Sequence, residues 1–249
     1  MELKKEGLEK LYTGKTKDVY RFGEGTILLH SKDAVTGWKI KNADGSISIV
    51  EDPGANEVVG EIEGLGLKNI KSSIYYFELF KAAGIPTHYI DSSLDEKTML
   101  VREAKPLGYG LECIVRFKAM GSILRAYPDY LKKNQELHDF FEVTTKNDEA
   151  GDPRISKEFL SSPDFGTPMT EAQYEECKEL CLKAAKLIKA DLAESGLTLI
   201  DLKFEIGLVD GKIVLIDEIS AGIMRVFDGD KQLSEEELGE IMAEKLIDN

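Results

Sequence analysis

The first third of the chain alternates short apolar runs with glycine turns, a pattern typical of β-strands. Residues 17–20 and 26–30 flank a Phe-Gly-Glu-Gly turn and predict a β-hairpin. Residues 42–66 contain glycines, a proline and several carboxylates, so we expect a loop-rich excursion with one strand at 47–50. The start of the chain is therefore predicted to be rich in antiparallel sheet.

Three later segments place apolar residues at helical spacing. The first covers residues 72–83, follows serines and stops before a Gly-Ile-Pro sequence. The second opens at Thr170, where Gln173 completes a capping box, and Gly196 is its natural end. The third opens at Ser234 and is expected to be capped by Ser234 and Glu237. These helices follow one another in separate runs and do not alternate regularly with single strands.

Further strands are expected at 98–102 and 111–117, separated by a Lys-Pro-Leu-Gly-Tyr-Gly hinge. An Asp-Gly pair at 210–211 predicts a tight hairpin. Sheets built mainly from hairpins, with flanking helices, indicate an α+β fold of two lobes with mainly antiparallel sheets. The hinge divides the chain into an N-terminal β-rich lobe, residues 1–104, and a C-terminal α+β lobe, residues 105–249.

Composition narrows the class of protein. The 249 residues include 32 basic and 46 acidic side chains, a formal net charge of −14, and 42% of the residues are hydrophobic, as in globular proteins. The negative field repels nucleic acid and anionic membranes, so neither is expected as a partner, although a local cationic pocket for a phosphorylated metabolite is compatible with it. No apolar run approaches the ~18 residues of a membrane span, and the start of the chain has no signal-peptide core. We therefore expect a cytoplasmic protein, with a homo-oligomer left open.

The cysteines and histidines lack the spacing of a metal site. Cys113, Cys177 and Cys181 form no CxxC pair and are expected to be small core residues. Structural roles are expected for all three histidines, His30, His88 and His138.

A Gly-Lys-Thr-Lys sequence near the start of the chain is a candidate phosphate site. Gly14 allows close approach of a ligand, and Lys15 and Lys17 alternate along a predicted strand, so both ammonium groups can share one face. The sequence lacks the spacing of a Walker A loop. An ordinary solvated strand is the alternative.

The strand 200–208 collects charged residues on one face. Asp201, Lys203 and Glu205 alternate with apolar residues. A two-residue turn in the following hairpin would place Glu218 on the Glu205 face, whereas a three-residue loop would place Asp217 there. In either case two carboxylates meet beside a lysine, which suits Mg²⁺ that also binds phosphate oxygens. The alternative is a solvent-facing strand with paired charges.

Two further segments combine charge with a turn. Arg116 and Lys118 share a strand face just before Ser122, which opens a predicted helix, and together they could bind phosphate. The alternative is a turn in which Ser122 caps the helix. Around Lys146, a turn is expected in which Asp152 caps the next helix.

Taken together, these segments resemble the phosphoribosylaminoimidazole-succinocarboxamide synthase (SAICAR synthetase) family from about residue 8 to 230. The matching motifs occur in family order and are residues 12–20, 84–88, 112–116 with 121–122, 146–148 with 152–153, 201–207 and 217–220. The resemblance implies two lobes with a nucleotide cleft similar to those of kinases and ATP-grasp enzymes. It also implies ligation of L-aspartate to the carboxylate of carboxyaminoimidazole ribonucleotide through an acyl phosphate, with ATP and Mg²⁺ as cofactors.

The resemblance assigns roles to individual positions. Gly14, Lys15, Lys17 and Lys146 match residues that bind ATP, with adenine held by the backbone of the hinge strand 100–106. The positions that match Mg²⁺ carboxylates are Glu205 and Asp217. Those that match the ribonucleotide site are Arg116, Ser122, Ser220 and Arg225, and those that match the reacting end of the site are Asp201 and Lys203.

The chain departs from the family pattern where ribonucleotide and aspartate are expected. A usual Ser-Pro-Asp-Ser-x-Arg sequence has lost its aspartate and second serine, and Leu65 replaces a lysine between two glycines. An early Asp-Asp-x-Thr-Ala-Phe-Asn-Gly loop is reduced at 32–38. The changed positions of the first motif are Ala221, Gly222, Ile223 and Met224.

Two functional expectations follow from these departures. Activity on the family substrate is expected to be impaired or shifted, unless the loop 42–60 supplies replacements, and Gly222→Asp with Met224→Ser is expected to raise kcat/KM. The alternatives are a divergent paralogue that joins a different carboxylate and amine, and an ATP-binding regulatory module without ligase activity.

Overall fold

Two antiparallel sheets occupy the first hundred residues. The computed structural model describes residues 2–42, 44–51, 57–166 and 168–246. The strands in chain order are β1 (Lys10–Thr13), β2 (Lys17–Gly23), β3 (Thr26–Ser31), β4 (Ala34–Lys41), β5 (Ile47–Glu51), β6 (Glu57–Glu61), β7 (Tyr89–Ser93) and β8 (Thr98–Arg102). A five-stranded sheet has the order β1-β2-β3-β8-β7, and a three-stranded sheet has the order β5-β4-β6. The predicted hairpin of β2 and β3 is confirmed.

The prediction of a single strand within 42–66 is wrong. Two strands, β5 and β6, lie in this segment, and both pair with β4, which the sequence analysis did not predict. Both strands are stabilised by hydrogen bonds to the two edges of β4. This is a tertiary effect that local composition does not show. Residues 43 and 52–56, which belong to the loop expected to replace missing substrate contacts, lie outside the described residues.

A larger antiparallel sheet follows in the remainder of the chain. Its strands are β9 (Lys105–Pro106), β10 (Leu111–Lys118), β11 (Glu136–Thr145), β12 (Arg154–Ile155), β13 (Leu197–Val209), β14 (Lys212–Ile216), β15 (Met224–Asp228) and β16 (Lys231–Gln232). The order is β12-β11-β10-β13-β15-β16, with β14 and β9 paired to β13. Together with the separate helices, these sheets confirm the predicted α+β class.

Helices cover the faces of the sheets. They are α1 (Leu65–Ala82), α2 (Ser122–Ala126), α3 (Lys157–Ser161), α4 (Glu171–Glu194) and α5 (Glu235–Glu244). Capping boxes open α4 at Thr170 and α5 at Ser234, as predicted. By contrast, α1 begins seven residues before the predicted start, because the Asp33 carboxylate accepts the Gly66 N–H at 2.9 Å from a distant part of the chain. No helix in the described ranges is both long and apolar enough to cross a bilayer.

The core joins both parts of the chain. One cluster of buried side chains includes Phe77 and Phe80 of α1 together with Phe204 of β13. The three cysteines are buried, free thiols within it, as predicted. The boundary between residues 104 and 105 stays a prediction: the sheets change there, but α1 packs against α5.

The register of the large sheet creates one polar face. Arg116 lies opposite Asp201, and Glu112 lies opposite Glu205 on the neighbouring strands β10 and β13. Because side chains alternate along a strand, the apolar residues of β13 enter the core while the charged ones share the other face. This face forms one wall of the candidate site.

Candidate active site

A cavity of about 1150 Å³ contains residues from both the five-stranded sheet and the large sheet. Seven of the predicted site residues line it, namely Gly14, Lys15, Lys17, Lys146, Lys203, Glu205 and Asp217. Five others lie outside its lining, namely Arg116, Ser122, Asp201, Ser220 and Arg225. The structure thus separates the predicted nucleotide residues from all four predicted ribonucleotide residues.

Lys17 is the buried lysine among the four lysines that line this cavity. Its Nζ atom lies 2.7 Å from Glu218 Oε1 and 3.1 Å from Asp217 Oδ1, and its side chain is only 9% exposed. Burial disfavours the charged ammonium, but the two carboxylates outweigh burial and raise the pKa of Lys17 above its ordinary value. Lys17 is therefore a fixed positive charge.

Lys15 differs from the prediction, because it does not share a strand with Lys17. It lies in the turn between β1 and β2, where it is exposed and lines the cavity. Gly14 of the same turn is closely packed: a Cβ atom there would lie 2.9 Å from the carbonyl oxygen of Lys17. A larger residue at position 14 would push this turn out of shape.

The backbone conformation of Asp217 determines which acid after the hairpin lies on the same face of the sheet as Glu205. The hairpin has the two-residue turn, with Glu205 opposite Ile216, and strict alternation would then favour Glu218. However, Asp217 has a left-handed φ of 68°, which breaks the alternation just after β14. Asp217 and Glu218 therefore both reach the Lys17 ammonium.

Two further lysines bridge acids along the polar face. Lys146 Nζ lies 2.5 Å from Glu205 Oε1, and Lys203 Nζ lies 2.7 Å from Glu112 Oε1. Burial and the nearby Asp217 charge raise the pKa of Glu205, and the Lys146 ammonium offsets part of that rise. The pKa of Asp217 shifts in the opposite direction: burial would raise it, but the Lys17 and Lys146 ammonium groups outweigh burial and lower it. Glu112 also lines the cavity and was not singled out by sequence analysis, whereas Glu218 is the acid that the two-residue turn predicted for this face.

His88 lines the same cavity, although only a structural role was expected. Its Nε2 lies 3.2 Å from the backbone oxygen of Asp217, so this nitrogen carries the hydrogen and donates it. Burial lowers the pKa of His88 to about 4. A neutral imidazole thus supports the left-handed backbone of Asp217.

The buried His88 predicts a pH dependence of stability. Unfolded, its imidazole binds a proton below pH 6.5, whereas in the folded protein it does so only below about pH 4. The unfolded state therefore binds more protons in this window, and the free energy of unfolding should fall by roughly 2–3 kcal/mol from pH 7 to 4.5 through this group alone. Urea unfolding of wild type and His88→Gln at both pH values measures it. Equal losses in the two proteins would contradict the assignment.

Arg116 is buried at one end of the polar face. Its Nη1 donates to Asp201 Oδ2 at 2.6 Å and to the Met120 carbonyl at 3.3 Å. Its Nη2 donates to Glu142 Oε1 at 2.6 Å and to Ser122 Oγ at 2.9 Å, and its Nε donates to Glu142 at 2.8 Å. All five N–H groups are engaged within the protein.

Two other arginines surround the same acids. Arg225 Nη1 donates to both oxygens of Asp201, at 2.9 and 3.0 Å, while Arg154 pairs with Glu142 and reaches Ser122 Oγ at 3.3 Å. The Arg154 side chain is 26% exposed, against 11% for Arg225 and 2% for Arg116. Arg154 and Glu142 were missed by sequence analysis, although Glu142 alternates with Thr144 along a β-like segment.

The two predicted site serines have defined local bonds. Ser122 does not cap α2, whose N-cap is Gly121, and instead accepts from the arginines. Ser220 is fully buried, and its hydroxyl accepts the Gly222 N–H at 3.3 Å. Asp152 also does not cap a helix, contrary to expectation: it accepts the Asn147 N–H at 2.7 Å, and Ser156 caps α3.

Two of the departures from the family pattern are core residues. Leu65 is fully buried with Val35 and Val59, and Met224 is 3% exposed within β15, opposite Leu202. Met224→Ser would replace this buried apolar surface with a hydroxyl, which is unfavourable, and the gain in kcat/KM expected from Gly222→Asp with Met224→Ser stays a prediction.

Comparisons with known proteins give one family. The SAICAR synthetase family model matches residues 54–241. The phosphoribosylaminoimidazole-succinocarboxamide synthase of Clostridium tetani is 43% identical over 88% of this chain and 93% of its own length, and that of Persephonella marina is 32% identical over 90% and 84%. A solved structure described as type-2 SAICAR synthetase in complex with ADP has a TM-score of 0.77 and 26% identity, with 96% of this chain and 97% of that chain covered.

Proposed function

The chain belongs to the SAICAR synthetase family, the ATP-dependent ligases that add aspartate in purine biosynthesis, and from this premise we propose how its own residues carry out the ligation. The observation that carries the proposal is the row of alternating charges in the cavity: Lys17 between Asp217 and Glu218, and Lys146 on Glu205. Such a row can exchange its internal ion pairs for a polyphosphate and its counter-ion.

ATP is proposed to lie with its base among apolar side chains and its phosphates over the Gly14 turn. Val19, Ile27, Leu29 and Ala104 line the cavity and offer a surface for a planar base. Lys15 and Lys17 supply positive charge to phosphate oxygens, and the backbone at Gly14 can approach them closely.

Glu205 and Asp217 are the residues proposed to hold Mg²⁺. Their charges interact, since the Asp217 carboxylate raises the pKa of Glu205. Within the described ranges no group of three or more metal-ligating side chains occurs, and a pair of carboxylates is the donor set that suits Mg²⁺ bound through phosphate oxygens. When bound, Mg²⁺ neutralises phosphate charge during phosphoryl transfer.

The ribonucleotide phosphate is proposed to bind at Ser122, Arg154 and Arg225. Arg154 is the most exposed guanidinium of this cluster, and the Ser122 hydroxyl lies between it and Arg116. Arg116 and Asp201 act mainly as positioning residues here, because Asp201 holds Arg116 and Arg225 together. The expected catalytic role of Asp201 is thereby replaced in this proposal by a positioning role.

The proposed reaction has two steps. A carboxylate oxygen of carboxyaminoimidazole ribonucleotide attacks the γ-phosphorus of ATP, and the bond to ADP breaks. The neutral amine of L-aspartate then attacks the acyl carbon, inorganic phosphate leaves with that carboxylate oxygen, and the departing phosphate takes up the proton that the amine loses. Lys203 lines the cavity between the two groups of residues, where its ammonium can neutralise the reacting carboxylate.

Release of ADP, measured against a panel of imidazole ribonucleotides and amino acids, tests this function. We expect ADP only when carboxyaminoimidazole ribonucleotide is present, and amide formation only when aspartate is added. A faster reaction with another amine or carboxylate would contradict the substrate assignment, and ATP binding without any turnover would contradict ligase activity.

A further inference from the structure

The turn that lacks the family's aspartate contacts a carboxylate from another element. Gly222 lies in the 3₁₀ turn Ala221–Ile223, and Glu235 is the first residue of α5. A Cβ atom built on Gly222 would lie only 2.7 Å from Glu235 Oε1. The missing side chain at position 222 therefore leaves the space that the Glu235 carboxylate occupies.

Glu235 is held in this position by a buried partner. Asn69 of α1, 2% exposed, donates from Nδ2 to Glu235 Oε1 at 3.2 Å. The amide orientation follows from chemistry, since the opposite one would place two oxygens together. The N-terminal end of α5 also favours a carboxylate, because the helix dipole places positive partial charge there.

The same place leaves hydrogen-bonding capacity unused. Gly222 and Glu235 both line the large cavity, and Glu235 also lines a smaller one of about 490 Å³ beside α5. Asn69 Oδ1 is a buried acceptor with no hydrogen-bond partner among the described residues. A buried amide oxygen normally has a donor, but Asn69 itself lines neither cavity. The acceptor that lines both cavities is the Glu235 carboxylate, which suits a ligand with O–H or N–H groups.

We infer that Glu235, positioned by Asn69, replaces the carboxylate lost at position 222 and binds a donor group of a substrate. The inference rests on the proposed function. The Glu235 carboxylate would accept a hydrogen bond from a hydroxyl or an amine. The ribose of the ribonucleotide offers hydroxyl groups, and aspartate offers an amino group. It also changes the expectation for this motif: the loss of aspartate at position 222 is compensated, and Gly222→Asp is harmful.

The first test separates the two sources by kinetics. Glu235→Gln keeps the shape of the side chain and removes its charge, so KM for one substrate should rise about 10- to 100-fold while KM for ATP is unchanged. A rise for the ribonucleotide identifies a hydroxyl, and a rise for aspartate identifies the amine. The matched control is Glu236→Gln, the 49% exposed neighbour paired with Lys68 at 3.5 Å, which should behave as wild type.

The second test moves the carboxylate. Gly222→Asp alone should raise the same KM, because its Cβ displaces Glu235, and adding Glu235→Ala should restore much of the loss. Equal kinetics for wild type and Glu235→Gln, or improved kinetics for Gly222→Asp alone, would overturn the inference. A wild type that forms no amide would contradict the proposed function instead, and calorimetric binding of each substrate to wild type and Glu235→Gln would then decide the inference by itself.

Discussion

Replacing Lys17 with methionine is expected to reduce kcat/KM for ATP roughly 100-fold or more, and to destabilise the free protein. The ammonium is the partner of both Asp217 and Glu218, so the substitution leaves two carboxylates without their buried cation. Removing one member of a buried charge pair costs about 3–5 kcal/mol, and a lost charged contact to phosphate adds to the kinetic effect. Steady-state kinetics and urea unfolding measure the two losses.

Lys10→Met is the control for this substitution. Lys10 pairs with Asp18 at 2.8 Å on the same sheet, but its side chain is 45% exposed, and such a pair contributes about 0–1 kcal/mol.

Mg²⁺ should stabilise Lys17→Met more than wild type, because a cation can take the place of the missing ammonium. Unchanged ATP kinetics in Lys17→Met would contradict the placement of the triphosphate.

The second large effect is expected for Asp201→Asn. Asp201 is 2% exposed and accepts hydrogen bonds from Arg116 and Arg225. Asparagine keeps the shape but leaves two guanidinium groups without this charge, at a cost of about 3–5 kcal/mol in stability. Because Arg116 also orients Ser122, kcat/KM for the ribonucleotide should fall about 100-fold, while KM for ATP changes little.

A matched change on another strand of the same sheet controls for the loss of an acid. Glu136 of β11 pairs with Lys118 at 3.1 Å and is 67% exposed, so Glu136→Gln should alter stability by no more than about 0.5 kcal/mol. If Asp201→Asn were as stable and active as Glu136→Gln, Asp201 would not be the residue that holds the arginines together.

Local signals allowed much of the fold to be predicted from the sequence. The capping boxes at Thr170 and Ser234 and the Asp-Gly turn of the β13–β14 hairpin involve residues three or fewer positions apart, and all of them form. The start of α1 was placed too late because its N–H partner, Asp33, lies 33 residues before Gly66. Strand β6 was not predicted because it is stabilised by pairing with β4, and its own residues carry no clear strand pattern.

In the candidate site, too, some features could be predicted from the sequence and others could not. Its lysines and carboxylates were predicted from alternation and family motifs, but their pairing depends on details that alternation does not contain. The left-handed φ of Asp217 brings it and Glu218 to one ammonium. Glu235 approaches Gly222 from a different element. The motif alone therefore showed only the loss of a carboxylate at position 222, and not the Glu235 carboxylate that we infer replaces it.

Isotope transfer tests the central claim, ATP-driven ligation through an acyl phosphate in this cavity, most directly. Carboxyaminoimidazole ribonucleotide labelled with ¹⁸O in its carboxylate is incubated with the protein, ATP, Mg²⁺ and aspartate, and the products are analysed by mass spectrometry. The account predicts one labelled oxygen in each inorganic phosphate formed, together with one ADP and one amide. Unlabelled phosphate, or ADP formed without the amide, would contradict it.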